Sequence, residues 1–137
     1  MRLLKDELRD LDLFSGASRS ELTVIARQLT RLKVQAGRVL VREGGIGNEF
    51  MIMVSGMAEV TQGGRSIATL GPGDLVGEMA LQEPHGSGRR NATVTAVTDC
   101  EIYAGTAGEF RRILEAAPSV AEKVRQTIES RTALVAA

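Results

Sequence analysis

The chain has 137 residues, 43% hydrophobic and 25% charged, so it can bury one sizeable core and has the balance of a soluble globular protein. Lys+Arg and Asp+Glu number 17 each; the zero formal net charge argues against a nucleic-acid-binding surface. No apolar run approaches the roughly 20 residues that cross a bilayer, and MRLLKDELRD is too charged for the apolar core of a secretory leader.

Cys100 is the single cysteine, which excludes an intrachain disulfide and makes a reducing cytoplasm the expected compartment. With His85 the single histidine, no metal site of nitrogen and sulfur ligands is expected. His85 itself reads as a surface loop residue.

In chain order, the first predicted element is a helix in SRSELTVIARQL. Leu22, Ile25, Ala26 and Leu29 share one face, and Ser18 with Glu21 has the spacing of a capping box. Leu11, Leu13 and Phe14 precede it as packing residues. From Leu32 to Tyr103 short β-prone runs follow: RLKV, RVLV, FMIMV, AEV, SIATL, ATVTAV and CEIYA. Glycine-containing turns separate them, among them Gly44-Gly45, Ser55-Gly56, Gly63-Gly64 and Gly71-Pro72-Gly73-Asp74. Many short strands at near-regular spacing predict an antiparallel sandwich or barrel. Helical spacing returns after Gly105. Thr106 and Glu109 form a second capping box, and Pro118 opens a last helix carrying Val120, Val124 and Ile128 at intervals of four. That narrow stripe has three readings: packing on its own domain, a lid over a ligand, or a dimer contact.

The segment GDLVGEMALQEPHGSGRRNATV, residues 73–94, carries the chemistry. GPGD is a turn that leads into a short strand, and GEMAL has the composition of one helical turn. Such a helix start exposes unpaired N–H groups and a partial positive charge. Glu78 alone is explained by that charge. Arg89 and Arg90, however, lead directly into a strand, where a fixed guanidinium can hold two phosphate oxygens at once. A phosphate between helix start and guanidinium, with a carboxylate near a sugar hydroxyl, would fit a phosphorylated ribose. A purely structural arginine pair is the competing reading of the same residue types.

Three blocks, LDLFSGASRSELTVIARQL, VQAGRVLVREGGIGNEFMIMVSGMAEV and LGPGDLVGEMAL…RRNATVTA, resemble the cyclic nucleotide-binding domain family in their expected order. The resemblance covers roughly residues 8 to 116, and its last block looks like the family's phosphate-binding cassette. It implies an α+β, mainly β fold: an antiparallel jelly-roll barrel flanked by an N-terminal helix and two C-terminal helices, with a short phosphate-binding helix. The segments expected are 1–31, 32–104 (cassette 77–93) and 105–137, in a single domain.

Carried over by position, the resemblance implies that Glu78 accepts from the ribose 2′-hydroxyl and Gly77 allows close backbone approach. The N–H of Ala80 would meet the phosphate, Arg90 would pair with it, and the Asn91 N–H would complete the cradle, with Met79 and Ala92 lining the site. Arg89 and Thr93 are secondary candidates, and Val120, Val124 and Ile128 would cover the purine or shift on binding. The chain departs from the family at Val76, where phenylalanine is common, in the longer loop QEPHGSGR, and at Asn91.

The expected ligand is cyclic AMP, with cyclic GMP as the competing base choice and no cofactor. Such a site binds and reports without catalysing a reaction. Expected partners are the nucleotide and a separate effector protein, with a homodimer through the C-terminal helix as a further expectation and neither nucleic acid nor membrane. The competing function is a degenerate domain of the same fold that binds no nucleotide and serves protein interaction. A metal-dependent enzyme on a double-stranded β-helix barrel would need several histidines and carboxylates at ligand spacing, which His85 alone does not meet.

Overall fold

The computed structural model describes the backbone at residues 4–77 and 89–136, and side chains at 7–77, 89–127, 129 and 130. It divides into two compact units, residues 30–104 and residues 1–29 with 105–137.

Among the described residues, the unit of residues 30–104 holds eight short strands. They are β1 (Thr30–Val34), β2 (Val39–Val41), β3 (Glu49–Ser55), β4 (Ala58–Gln62), β5 (Arg65–Leu70), β6 (Leu75–Val76), β7 (Thr93–Ala96) and β8 (Cys100–Thr106). β1, β8, β3 and β6 form one antiparallel sheet in that order, and β2, β7, β4 and β5 form the other. This is the expected jelly-roll arrangement, with two open sheets rather than a closed barrel. Alternation puts Val34, Met53, Val76, Val94, Ala96 and Ile102 into a common buried core. Three phenylalanines and one tyrosine are all the aromatics available, so aliphatic and methionine side chains fill that space.

Two turn features fix the register. In GPGD, the Asp74 carboxylate accepts from the Gly71 N–H at 2.8 Å, and Gly73 N–H and Asp74 O bond to the backbone of Met53. This turn lays the two-residue β6 against Met51 and Ile52. At the β3–β4 turn Gly56 has φ +89°, and a Cβ there would stand 2.4 Å from Asp99 O and 2.7 Å from Cys100 Sγ. Cys100 is buried, its Sγ within reach of the Met57 and Thr98 carbonyls at 3.4 and 3.2 Å.

The other unit is helical. The single N-terminal helix expected is α2 (Arg19–Arg27); α1 (Leu4–Arg9) and a 3-10 turn (Asp12–Phe14) precede it. α2 ends before Leu29, which therefore lies beyond the face that Leu22 and Ile25 bury. α3 (Ala107–Ala116) and α4 (Pro118–Ala136) follow β8. Both capping boxes form reciprocally: Ser18 with Glu21, and Thr106 with Glu109. Each satisfies two amide donors that a helix start leaves unpaired. Leu8, Phe14, Leu22, Ile25, Phe110, Ile113, Val120 and Val124 are this unit's main buried side chains. No helix among the described residues is long and apolar enough to cross a membrane.

Candidate functional site

The site grows from three backbone segments of the β unit. β6 is buried at both residues and delivers Gly77 next to the start of β3. The β2–β3 loop bends back through Gly44 and Gly45, and the segment before β7 pairs with it. Arg90 N–H donates to Gly45 O at 2.7 Å, and Gly44 N–H donates to Arg90 O at 2.9 Å. Ile46 and Arg89 form a bridge of the same polarity. The backbone of Arg90 is thus fixed from both sides before its side chain makes any contact.

The guanidinium of Arg90 then reaches inward. It donates to Gly77 O at 3.0 Å and to Glu49 O at 2.7 Å, and the residue is 9% exposed. Among the described residues it is the buried charged one. Burying a cation is costly unless its donors meet acceptors, and two carbonyl oxygens meet that need here. Gly77 has φ +87°, and a Cβ on it would lie 2.2 Å from Arg90 Nη1 and 2.9 Å from Glu49 O. Glycine is required twice over, by conformation and by the guanidinium that occupies the place of a side chain.

Arg89 behaves differently. It is exposed, and its Nη1 donates to Gly44 O at 2.7 Å. The structure therefore gives the two arginines unequal environments, one buried and one at the surface. Asn91 is exposed and its carbonyl accepts from the Gln62 amide at 3.0 Å; Ala92 is half-buried. Thr93 opens β7, and its hydroxyl accepts from the Glu43 N–H at 2.9 Å, which makes it a strap between β7 and the end of β2. Glu78, Met79 and Ala80, the short helix and residues 82–88 of the QEPHGSGR loop, His85 among them, lie outside the described residues. In the helical unit Val120 and Val124 are 1% and 2% exposed, so the stripe is buried there; the side chain of Ile128 lies outside the description.

Arg90 also borders a cleft of about 290 Å³, whose apolar wall includes Leu40, Val41 and Met51 and whose polar rim includes Arg42, Asn48 and Glu49. A bulge shapes this wall. Val39 pairs with Thr95 and Val41 with Val94, leaving Leu40 as the extra residue on β2. Residue types alone gave these residues of β2, β3 and the loop between them no role at the site. The signal available was their position in a block, LVREGGIGNEFM, whose Gly44 and Gly45 bring the β2–β3 loop beside the arginines.

Comparison with known proteins accords with this arrangement. The family model for the cyclic nucleotide-binding domain matches residues 31–117. A cAMP-dependent protein kinase regulatory subunit from Schizosaccharomyces pombe is 34% identical over 113 residues, covering 82% of this chain and 27% of that protein. A cyclic nucleotide-gated potassium channel from Rhizobium etli is 32% identical over 115 residues, 84% of this chain and 31% of the channel. Among solved structures, the catabolite activator protein of Thermus thermophilus superposes with a TM-score of 0.76 at 28% identity, over 88% of this chain and 57% of that one. The fold alone is shared with cAMP-bound PfPKA-R, at a TM-score of 0.85 and 23% identity over 96% of this chain and 45% of that one. The chain spans under a third of the length of both curated relatives named.

Proposed function

Because the chain belongs to the cyclic nucleotide-binding domain family, we propose that residues 1–137 act as one cytoplasmic receptor module whose ligand is cyclic AMP. The observation that carries this reading is Arg90: a buried residue, 9% exposed, its backbone paired to Gly44 and Gly45, its Nη atoms held by Gly77 O and Glu49 O. A cation held that firmly needs little reordering to meet a phosphate, and a cyclic phosphate carries one negative charge to match it.

In this reading Arg90 pairs with the phosphate, while the N–H groups of Ala80 and Asn91 complete its cradle. Glu78 accepts from the ribose 2′-hydroxyl, and Met79 and Ala92 line the site. Arg89, exposed and bonded to Gly44 O, is a neighbour rather than the clamp. The module captures its ligand and reports it, without turning it over. The report passes through α3 and α4 to a separate effector protein, with the stripe of Val120, Val124 and Ile128 shifting on binding. Among the relatives, a matching segment lies within a protein kinase regulatory subunit and within a potassium channel.

Isothermal titration with cyclic AMP and cyclic GMP tests the proposal. Saturable heat with cyclic AMP, weaker with cyclic GMP, is the expected result. No heat and no thermal shift at about millimolar ligand, which corresponds to less than roughly 4 kcal/mol of binding free energy, would leave a degenerate module that serves protein interaction.

A further inference from the structure

We propose that Lys123 is a positioning residue that latches α4 to the N-terminal 3-10 turn, so that α4 leaves its seat only when a three-way polar contact breaks. The latch lies wholly in the helical unit and stands whether or not the module binds a nucleotide.

Two kinds of contact hold α4 on the turn. Phe14, Val120 and Val124 are buried, and Gly16 brings the chain close: a Cβ on it would stand 3.3 Å from Ser119 Cβ. Apolar burial of this kind is non-directional. A helix rotated by a small angle or slid by part of a turn could still bury the same valines. The polar contact is directional. Lys123 Nζ donates to Asp12 O and, at 2.8 Å, to Ser15 Oγ, and it lies 3.6 Å from Asp12 Oδ1. These partners are 111 and 108 residues away in sequence. Asp12 O also accepts from Ser15 N–H at 3.2 Å and from Ser15 Oγ at 2.9 Å. The ammonium therefore sits where the acceptors of one short turn converge, and its three donors specify one axial and one rotational setting of α4.

The carboxylate is the weakest member. The Asp12 side chain is 95% exposed against 29% for Lys123, so the ion pair is screened by water. The carbonyl and the hydroxyl carry the contact. This ranks the variants: Lys123→Met, which keeps the aliphatic stem, removes everything; Ser15→Ala removes one acceptor; Asp12→Asn leaves the carbonyl and costs least.

Amide hydrogen exchange on the ligand-free full chain reads the latch directly. In Lys123→Met the amides of α4 between Val120 and Thr127 should exchange about tenfold faster, with β3 and β8 amides changed by less than roughly twofold. Lys123→Arg should restore most of the protection, Ser15→Ala should fall between, and Asp12→Asn should resemble the parent chain. Unchanged exchange in both Lys123→Met and Ser15→Ala overturns the proposal. So does an equal acceleration across the β-strands, which marks a general loss of stability. Equal effects of Asp12→Asn and Lys123→Met would reduce the contact to an ordinary surface ion pair and overturn it as well.

Discussion

Replacing Arg90 by alanine should damage the empty chain as well as its affinity. The guanidinium donates to Gly77 O at 3.0 Å and Glu49 O at 2.7 Å from a residue 9% exposed. Truncation strips both carbonyls of a charged donor, at about 1–2 kcal/mol each, so the ligand-free chain should lose about 2–4 kcal/mol. At roughly 3–4 °C per kcal/mol for a chain of this size, its Tm falls by about 10 °C. Arg89→Ala removes an exposed bond to Gly44 O at 2.7 Å and should cost under about 1 kcal/mol. For cyclic AMP, loss of a desolvated phosphate contact worth about 2–4 kcal/mol weakens binding by roughly 30- to 1,000-fold. Arg89→Ala should weaken it by less than about tenfold on the same scale. Calorimetric melting without ligand, then titration at a temperature where both variants are folded, separates the two effects. Equal losses of affinity in the two variants would refute the assignment of the clamp to Arg90. Parent-like melting of Arg90→Ala would refute the claim that the two carbonyls hold it.

Other consequences are open to simpler measurements. Gly77→Ala should cost more than about 2 kcal/mol, because backbone strain adds to the overlap with Arg90. In a double-mutant cycle of chemical denaturation, part of that cost should vanish in the Arg90→Ala background; strictly additive losses would mean the guanidinium is not what excludes a Cβ. Thr106→Ala removes the acceptor for the Glu109 N–H at 3.2 Å and should destabilise the chain by about 1 kcal/mol, read as a lower denaturation midpoint at unchanged slope. Glu122 has its pKa lowered by hydrogen bonding to Arg125, which also pairs with Glu129. A lowered folded-state pKa adds stability above the unfolded value of roughly 4.3, and that stability is lost as pH falls through the folded value. Far-ultraviolet dichroism should show α4 weakening slightly on acidification, and this component should be absent from Glu122→Gln.

The sequence was most readable where side chains report directly on backbone needs. Ser18 with Glu21 and Thr106 with Glu109 marked two helix starts, and both boxes form with reciprocal hydrogen bonds. Runs such as FMIMV and CEIYA marked β3 and β8 because they are short, apolar and β-prone, with turn residues at their ends. α1 went unread: in LLKDELR the charges outweigh the periodicity, and burial of Leu8 is decided by tertiary packing. The site divides in the same way. Arginines, a glycine and an acid are visible as letters. The acceptors that hold Arg90 are the carbonyls of Glu49 and Gly77, 41 and 13 residues away. Every residue has a carbonyl, so no residue type could have pointed to those two. The bulge at Leu40 was hidden for a related reason, since it depends on the register with β7.

The buried thiol beside Gly56 makes the chain its own stopwatch. Cys100 is the one cysteine in the sequence and is 2% exposed. A thiol reagent can react only during openings that part β8 from the β3–β4 turn, because Gly56 and the carbonyls of Met57 and Thr98 close over the sulfur. The labelling rate in excess reagent therefore counts the openings of this one sheet, without an introduced probe. Adding a nucleotide, or altering a side chain of the helical unit such as Lys123, then becomes a timing experiment on unmodified β-strands.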